Sequence, residues 1–272
     1  MSVVFSSVAG YLIAVGKDVD FITLLMLAIG GYCMVGASNA FNQVLEVDID
    51  KLMDRTKTRP IPSGNMSVRT AMVIAVTLTV LGLVLLYLIN PKSAMFGAVS
   101  IFMYVSLYTP LKTKTPLSVF IGAFPGAIPF MLGWVAATND FGMEAGTLFL
   151  MQFLWQFPHF WAIGWFLYDD YAKAKIFMLP TGKQDKGTAS QIIMYTLWTI
   201  IASIIPVFGF TGALQLSVIA AVIVFLFGLG MLYYAILLYK KMDNKTARQL
   251  MLASVSYITL VQIVYVIDKF LQ

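Results

Sequence analysis

Cysteine, histidine and charged side chains are all scarce in this sequence of 272 residues. The single cysteine, Cys33, lies within an apolar segment, so a disulfide within the chain and a metal site made of cysteines are both excluded. Charged residues make up only 11% of the chain, whereas a soluble domain carries about 25%. A water-soluble fold is therefore excluded, because it could not hide the apolar surface that remains.

Long apolar runs occupy most of the sequence, and 60% of its residues are hydrophobic. Lipid cannot satisfy the backbone groups of an irregular segment, so runs of this length are expected to be helices. The predicted spans are 1–16, 21–45, 67–90, 93–109, 118–138, 145–167, 191–210, 214–239 and 247–268. We therefore expect an all-α integral membrane protein with about nine transmembrane helices around a central cavity.

The organisation of these spans suggests one transmembrane domain over residues 1–272. The two longest loops follow the second and sixth spans, and this spacing of four helices suggests two related four-helix units. The first span is shorter than the roughly 20 residues that cross a bilayer. We therefore expect that a short piece of the first helix is missing at the N-terminus.

The basic residues are distributed unevenly between the two sets of loops. Fifteen of the 18 Lys and Arg follow the even-numbered spans, and three, Lys17, Lys92 and Lys269, lie on the other side. By the positive-inside rule, the 46–66 and 168–190 loops are expected to be cytoplasmic. The net charge of +5 is then explained by topology, so no nucleic-acid partner is expected. The location expected for such a multi-pass protein is the plasma or inner membrane.

A first group of polar residues lies where the second span ends. Four oxygen-bearing side chains recur every four residues there: Asn42, Glu46, Asp50 and Asp54. If the helix continues through them, they share one face, while Asp48 points away. Such a face suits a hard cation, especially Mg²⁺, and Arg55 and Arg59 would supply donors to phosphate. The alternative is a solvated loop of cancelling charges, but charged groups at membrane depth are rarely idle.

A second group of candidate residues covers 152–180. It contains the following side chains: Trp155, His159, Asp169, Asp170, Tyr171 and Lys173. His159 is the only histidine, and a hydrogen-bonded core residue, an axial haem ligand and a proton acceptor all remain open for it. The aromatic neighbours could stack on a flat ligand or only pack between helices. Lys112 and Lys114, in the loop after the fourth span, could contact diphosphate or serve only to set topology.

Two motifs resemble those of the UbiA superfamily of intramembrane prenyltransferases. The first is Asn-x-x-x-Glu-x-x-x-Asp followed by Arg-Thr-x-x-Arg-Pro at 42–60. The second is Trp-Gln-x-Pro-His-Phe, Asp-Asp-Tyr and Met-Leu-Pro at 155–180, which is similar to the haem O synthase group of that superfamily. The chain departs from the common pattern at Gln43 and Glu46, where Asp is frequent, and at Lys175, where Gly is expected. It also lacks the Asp-x-x-x-Asp of the second motif.

The resemblance implies a particular reaction and particular partners. A farnesyl group would pass from farnesyl diphosphate to a vinyl group of haem B, with addition of water, to give haem O and diphosphate. The resemblance assigns Mg²⁺ to Asn42, Glu46 and Asp50 together with the Asp169 and Asp170 loop. A downstream haem-modifying membrane enzyme is a further expected partner.

Two other functions remain open at this point. One is prenyl transfer to an aromatic quinone precursor or a chlorophyll-type acceptor, which the Pro-His-Phe and Met-Leu-Pro runs disfavour. The other is transport of a cation or proton by the same intramembrane acids. A transport route would more naturally place its ionisable groups near the bilayer midplane, and here they cluster at one face beside arginines.

Overall fold

The structure, a computed structural model, describes residues 2–272, with the backbone alone for Ser2. Throughout this range the regular elements are helices. The long ones are α1 (Ser2–Val15), α2 (Phe21–Leu45), α4 (Val68–Ile89), α5 (Pro91–Phe102), α7 (Leu117–Thr138), α8 (Met143–Phe166), α10 (Lys186–Ile204), α11 (Val218–Lys241) and α12 (Asn244–Leu271).

Short elements mark the loops that bear the polar motifs. They are α3 (Val47–Leu52), α6 (Thr109–Leu111) and α9 (Tyr168–Lys173). A π-helical turn, Met103–Tyr108, joins α5 to α6 in one continuous rod, and a 3₁₀ turn, Ile205–Phe208, extends α10. Turns of the π type recur at functional sites.

Seven of the helices described are long and apolar enough to cross a membrane, and the segment Val3–Val15 is a shorter apolar helix. Their outer faces expose large hydrophobic side chains such as Phe21, Ile219 and Leu226, as expected where lipid rather than water surrounds the protein. Several helices begin at an N-cap residue. The side chain of Asp20 accepts a hydrogen bond from the backbone N–H of Ile22, and that of Ser217 accepts one from the N–H of Ala220. Such caps satisfy N–H groups that have no partner within the helix.

The helices pack as two consecutive groups. Helices α2, α4, α5 and α7 contact one another, and so do α8, α10, α11 and α12. The groups meet between α7 and α8, and α1 packs on α7 and α12. Close approach of α1 to α7 requires small residues, since a Cβ on Gly10 or Gly133 would meet the opposing backbone within about 2 Å. The Ser6 and Gln262 side chains hydrogen-bond where α1 meets α12.

The loops richest in Lys and Arg meet at one end of the helices. The side chain of Asp170 accepts a hydrogen bond from the backbone N–H of Asp54 at 2.9 Å. The N–H of Phe177 donates to the carbonyl of Lys112 at 2.8 Å. These two contacts tie together the loops after the second, fourth and sixth predicted spans. The charge bias in the sequence therefore corresponds to a single face of the fold.

Candidate functional site

A cavity of about 660 Å³, here called the polar cavity, opens at this basic end. It lies where α2 and α3 face the π-helical turn, α8 and α9. Its charged and amide lining comprises Asn42, Gln43, Glu46, Asp50, Arg55, Arg59 and Lys112. Three tyrosines, Tyr104, Tyr108 and Tyr171, complete one wall. Residues from both sequence motifs therefore meet in one place.

A buried network joins Lys112 to the end of α2. Its ammonium donates to Asn42 Oδ1 at 2.8 Å and lies 3.0 Å from Glu46 Oε1. The Asn42 amide in turn donates to Glu46 Oε2 at 2.7 Å. The ammonium also lies 4.6 Å from the centre of the Tyr108 ring. Burial lowers the pKa of Lys112, and the nearby Glu46 carboxylate opposes that shift.

A second ion pair holds Asp50, whose side chain is 1% exposed. Its Oδ2 accepts a hydrogen bond from Arg59 at 2.9 Å. Its other oxygen, Oδ1, is buried and has no hydrogen-bond partner among the residues described, and the same holds for Gln43 Oε1 and Glu46 Oε1. The Lys112 ammonium donates to Glu46 Oε2 at 3.2 Å and reaches Oε1 only as a charge contact, without hydrogen-bond geometry. Buried oxygens without donors are costly, so these three atoms indicate a site built for a ligand.

The chain bends at Glu46, which changes the predicted face. Helix α2 ends at Leu45, Glu46 has φ −107° and ψ 17°, and α3 then runs to Leu52. Asn42, Glu46 and Asp50 stay together in the polar cavity, and Asp48 points to solvent as predicted. Asp54 does not continue the face, because α3 has already ended. Its carboxylate instead pairs with Lys57 and Lys173.

A hydrogen-bonded clasp joins the two motif loops outside the cavity. Asp170 accepts the backbone N–H groups of Asp54 at 2.9 Å and Arg55 at 3.4 Å. Lys173 donates to Asp170 at 3.2 Å and also pairs with Asp54. Desolvation would raise the pKa of Asp170, but these hydrogen bonds outweigh it and the pKa is lowered. The clasp fixes the backbone from which the Arg55 side chain reaches the cavity and lies 5.8 Å from the centre of the Tyr171 ring.

Four of the charged candidates from the sequence do not line the polar cavity. Asp169, Lys114 and Lys173 are exposed, and Asp170 is held in the clasp. The expectation that Asp169 and Asp170 join Asn42, Glu46 and Asp50 around one metal is thus not met in this structure. The physical reason is that the backbone N–H groups of 54–55 and Lys173 already occupy the Asp170 carboxylate.

A second cavity of about 330 Å³, here called the apolar cavity, adjoins the first. Asn39, Tyr104, Tyr108 and Phe160 line both. Its lining includes Trp155, His159 and many aliphatic side chains of α1, α2, α7 and α12. The predicted aromatic residues of α8 therefore lie deeper in the protein than the charged ones.

Ser254 of α12 positions both of these α8 side chains. Its carbonyl accepts the indole N–H of Trp155 at 2.7 Å, and its hydroxyl lies 2.8 Å from His159 Nδ1. The imidazole and the indole stack with ring centres 4.7 Å apart. Ser254 was not among the residues expected from the sequence, since nothing local marks it. Asn39 and Tyr104 were also missed. Asn39 lies one helical turn before the predicted Asn42, and that periodicity was the available signal.

The residues of the polar cavity fit a divalent metal that shares ligands with an anion. No three His, Cys, Asp or Glu side chains gather closely enough among residues 2–272 to hold a metal without further ligands. Mg²⁺ requires no such cage, because it keeps waters and binds through one or two carboxylates plus phosphate oxygens. The unpartnered oxygens of Glu46 and Asp50 meet that requirement.

The fold and the site together define a membrane-embedded protein whose cavities suit the binding of an amphiphilic anion. Carboxylate oxygens and three cationic side chains surround the polar cavity, which suits a phosphate headgroup with its counter-cation. The adjoining apolar cavity suits a hydrocarbon chain or a flat hydrophobic molecule. Comparison with known proteins identifies the family.

The family model of the UbiA prenyltransferase family matches residues 3–258. A protoheme IX farnesyltransferase of Christiangramia forsetii is 68% identical over 273 residues, covering 100% of this chain and 90% of the relative. One of Flavobacterium psychrophilum is also 68% identical, covering 100% and 91%. The chain belongs to the UbiA prenyltransferase family and, within it, to the protoheme IX farnesyltransferases.

Solved structures share the fold at low identity. A structure of digeranylgeranylglyceryl phosphate synthase matches with a TM-score of 0.81 and 19% identity, covering 100% of this chain and 94% of that one. A UbiA homolog from Archaeoglobus fulgidus bound to GPP and Mg²⁺ matches with a TM-score of 0.62 and 14% identity, covering 99% and 95%. The first of the two alignments spans the whole chain and the second nearly all of it.

Proposed function

We infer that this protein transfers the farnesyl group of farnesyl diphosphate to a vinyl group of haem B, with addition of water, to give haem O and diphosphate. The observation that carries this function is the 68% identity to protoheme IX farnesyltransferases over the whole chain. The polar cavity agrees with the anionic head of farnesyl diphosphate, and the adjoining apolar cavity agrees with the hydrophobic parts of both substrates.

We propose that Asn42, Glu46 and Asp50 hold Mg²⁺, which neutralises the charge that develops on the diphosphate as it leaves. The support is their unpartnered oxygens in the polar cavity and the Mg²⁺ and GPP bound to the Archaeoglobus fulgidus homolog. Asp170 serves this site indirectly, because the clasp fixes the backbone at Arg55, and Asp169 is exposed beside it.

Cationic side chains of the chain hold the diphosphate itself. Arg55 and Arg59 offer planar pairs of N–H donors that match phosphate oxygens. Lys112 lies deeper, already charge-paired with Glu46, and contributes a positive field near the bond that breaks. Lys173 and Lys114 are exposed outside the cavity, so their role is to attract an anionic substrate to this face.

The acceptor occupies the apolar cavity, where Trp155 and His159 contact it. The stacked pair presents a rigid flat surface to a porphyrin, since Ser254 holds both rings. Tyr104 and Tyr108, which line both cavities, lie between the two substrates, and Tyr171 contacts the diphosphate side. Aromatic faces next to an allylic cation stabilise its charge, and the apolar surroundings exclude water from it.

The chain is a single domain with nine spans, and its motif loops face the cytoplasm in the cell membrane. In support, the nine long helices share one hydrophobic core, and the basic loops meet at one end. A downstream haem-modifying membrane enzyme would take up the hydrophobic product. Transfer to a quinone precursor is disfavoured by the relatives' names, and ion transport by the placement of the acids at one end.

The function is tested with purified protein in lipid nanodiscs supplied with haem B and farnesyl diphosphate. The expected product is haem O, identified by its mass and absorption spectrum, with release of one diphosphate per haem. Omission of Mg²⁺ should stop the reaction. Farnesylation of an aromatic quinone precursor but not of haem would contradict the proposal.

A further inference from the structure

The apolar cavity contains a polar stripe that a hydrocarbon-binding site would not need. Gln152, Gln156 and His159 follow one another at helical spacing on α8, and all three line the cavity. Polar groups in such a site are costly unless they are hydrogen-bonded. The hydrogen bonds that these three side chains make within the protein determine which donor and acceptor atoms remain free for a ligand.

The two glutamines hydrogen-bond to the protein in different ways. The Gln156 amide donates to the carbonyl oxygens of Ala123 at 2.8 Å and Gln152 at 3.3 Å. Gln152 Oε1 accepts from the Gln262 amide at 3.2 Å. The oxygen of the Gln156 amide, Oε1, accepts no hydrogen bond from any residue in 2–272 for which the structure gives contacts. Gln156 therefore presents an acceptor.

Ser254 sets the tautomer of His159. Its hydroxyl has one proton, which it donates to the carbonyl of Met251 at 2.7 Å. The contact with His159 Nδ1 at 2.8 Å must then be a hydrogen bond from the imidazole N–H to the serine oxygen. The other ring nitrogen, Nε2, carries the lone pair. His159, like Gln156, therefore presents an acceptor to the cavity that it lines.

Two acceptors side by side define a site for a water molecule with its lone pair free. Residues three apart on a helix are neighbours, so one water can donate its two hydrogens to Gln156 Oε1 and His159 Nε2. A carbonyl or carboxylate ligand would find no donor there. Gly126 makes room for this arrangement, since a Cβ on it would lie 1.9 Å from Gln156 Oε1.

We propose that Gln156 and His159 hold the water that hydrates the prenylated haem, with His159 as its proton acceptor and Ser254 as the positioning residue. The proposal rests on the proposed function. The allylic C–O bond breaks and diphosphate leaves with the electron pair. The vinyl π electrons form the new C–C bond, which leaves a cation on the carbon next to the porphyrin ring. A water lone pair forms the C–O bond, and the surplus proton passes to His159 Nε2.

Without the held water, the cation loses a proton from the adjacent carbon and gives an alkene, lighter than haem O by one water. The test compares His159→Phe, Gln156→Met and Ser254→Ala with the unmodified protein, by mass spectrometry of the haem products and by diphosphate release. General base catalysis contributes roughly 10²–10⁴-fold. We expect diphosphate release to persist and the ratio of hydroxylated haem to alkene to fall at least about tenfold in His159→Phe.

Matched variants separate this role from packing. Gln152→Met makes the same substitution as Gln156→Met, one helical turn earlier on α8. It should leave the ratio of hydroxylated haem to alkene as in the unmodified protein. Gly126→Ala displaces the Gln156 amide without altering His159 and should lower the ratio. An unchanged ratio in both His159→Phe and Gln156→Met would overturn the proposal. So would loss of diphosphate release in Gln156→Met with farnesyl diphosphate still bound, because hydration follows that step.

The same experiment distinguishes an iron ligand from a proton acceptor. The haem absorption spectrum should be the same in His159→Phe and in the unmodified protein. A changed spectrum with an unchanged product ratio would assign the imidazole to the iron and overturn the proposal. If the unmodified protein does not farnesylate haem at all, the proposed function itself fails, and the product ratio is then not defined.

Discussion

Asp50 and Arg59 form a one-sided ion pair: the guanidinium occupies one carboxylate oxygen at 2.9 Å, and the other has no partner among the residues described. The pair therefore joins a proposed metal ligand on α3, Asp50, to a proposed diphosphate-binding cation, Arg59. A side chain held in this way needs no reorganisation when a ligand arrives, which is the condition for electrostatic stabilisation of a leaving group.

The first prediction concerns this carboxylate. Asp50→Ala should abolish prenyl transfer while the protein still inserts, because it removes a proposed metal ligand and leaves Arg59 unpaired. Asp48→Ala is the matched control. Its carboxylate is 89% exposed and pairs only with Lys51, so turnover should change little. Turnover is measured at limiting Mg²⁺, and near-normal activity of Asp50→Ala would refute the metal assignment.

The second prediction concerns acid stability of the clasp. Hydrogen bonds and charge from Lys173, and then from Lys57, lower the pKa of Asp54 to about 2. A carboxylate with a lowered pKa stabilises the fold above its unfolded pKa of about 3.9, and the contribution is lost as the pH falls through about 2. The melting temperature of the unmodified protein should therefore fall more steeply in that window than that of Asp54→Asn.

Asp48→Asn serves as the control for this pH series, because the variant removes an exposed carboxylate from the same region without changing the clasp. Its curve should run parallel to that of the unmodified protein. Parallel curves for Asp54→Asn as well would show that the clasp contributes nothing to acid stability.

The third prediction concerns backbone strain at Lys175, which has φ +53°. This is the position at which the family resemblance led us to expect glycine. A left-handed conformation costs a non-glycine residue roughly 1–2 kcal/mol, so Lys175→Gly should raise the free energy of unfolding by about 1 kcal/mol. Lys183→Gly, at an exposed position without positive φ, should lower it slightly. Thermal melts of the two variants in the same detergent make the comparison.

The fourth prediction concerns topology. In a Cys33→Ser background, cysteines introduced as Lys57→Cys and Lys183→Cys should react with a membrane-impermeant reagent from the same side of the membrane. The structure places both loops at one end, and the positive-inside rule makes that side cytoplasmic. Reaction of either cysteine in intact cells, before lysis, would show that the orientation is wrong.

Much of the helical layout could be predicted from the sequence, because the physical signal is local. The predicted spans 21–45 and 118–138 differ from Phe21–Leu45 and Leu117–Thr138 by at most one residue. Apolar runs of this length leave few alternatives in lipid. The seven membrane-length helices confirm a multi-pass protein, and the count of nine spans stays a prediction.

The candidate site was only partly predictable, because its contacts connect distant parts of the chain. Helical spacing correctly brought Asn42, Glu46 and Asp50 together. It failed at Asp54, since the break at Glu46 and the end of α3 depend on packing rather than on propensity. The bond from the Asp54 N–H to Asp170 spans 116 residues, and no local pattern reveals such a partner.

The packing of α1 against α12 has a consequence for how the protein is made. The apolar cavity is lined on one side by α1 and α12, and α1 leaves the ribosome well before α12. Inserted helices associate only after they reach the bilayer. The wall between α1 and α12 therefore stays open to lipid until α12 is inserted, and the cavity cannot close before that step.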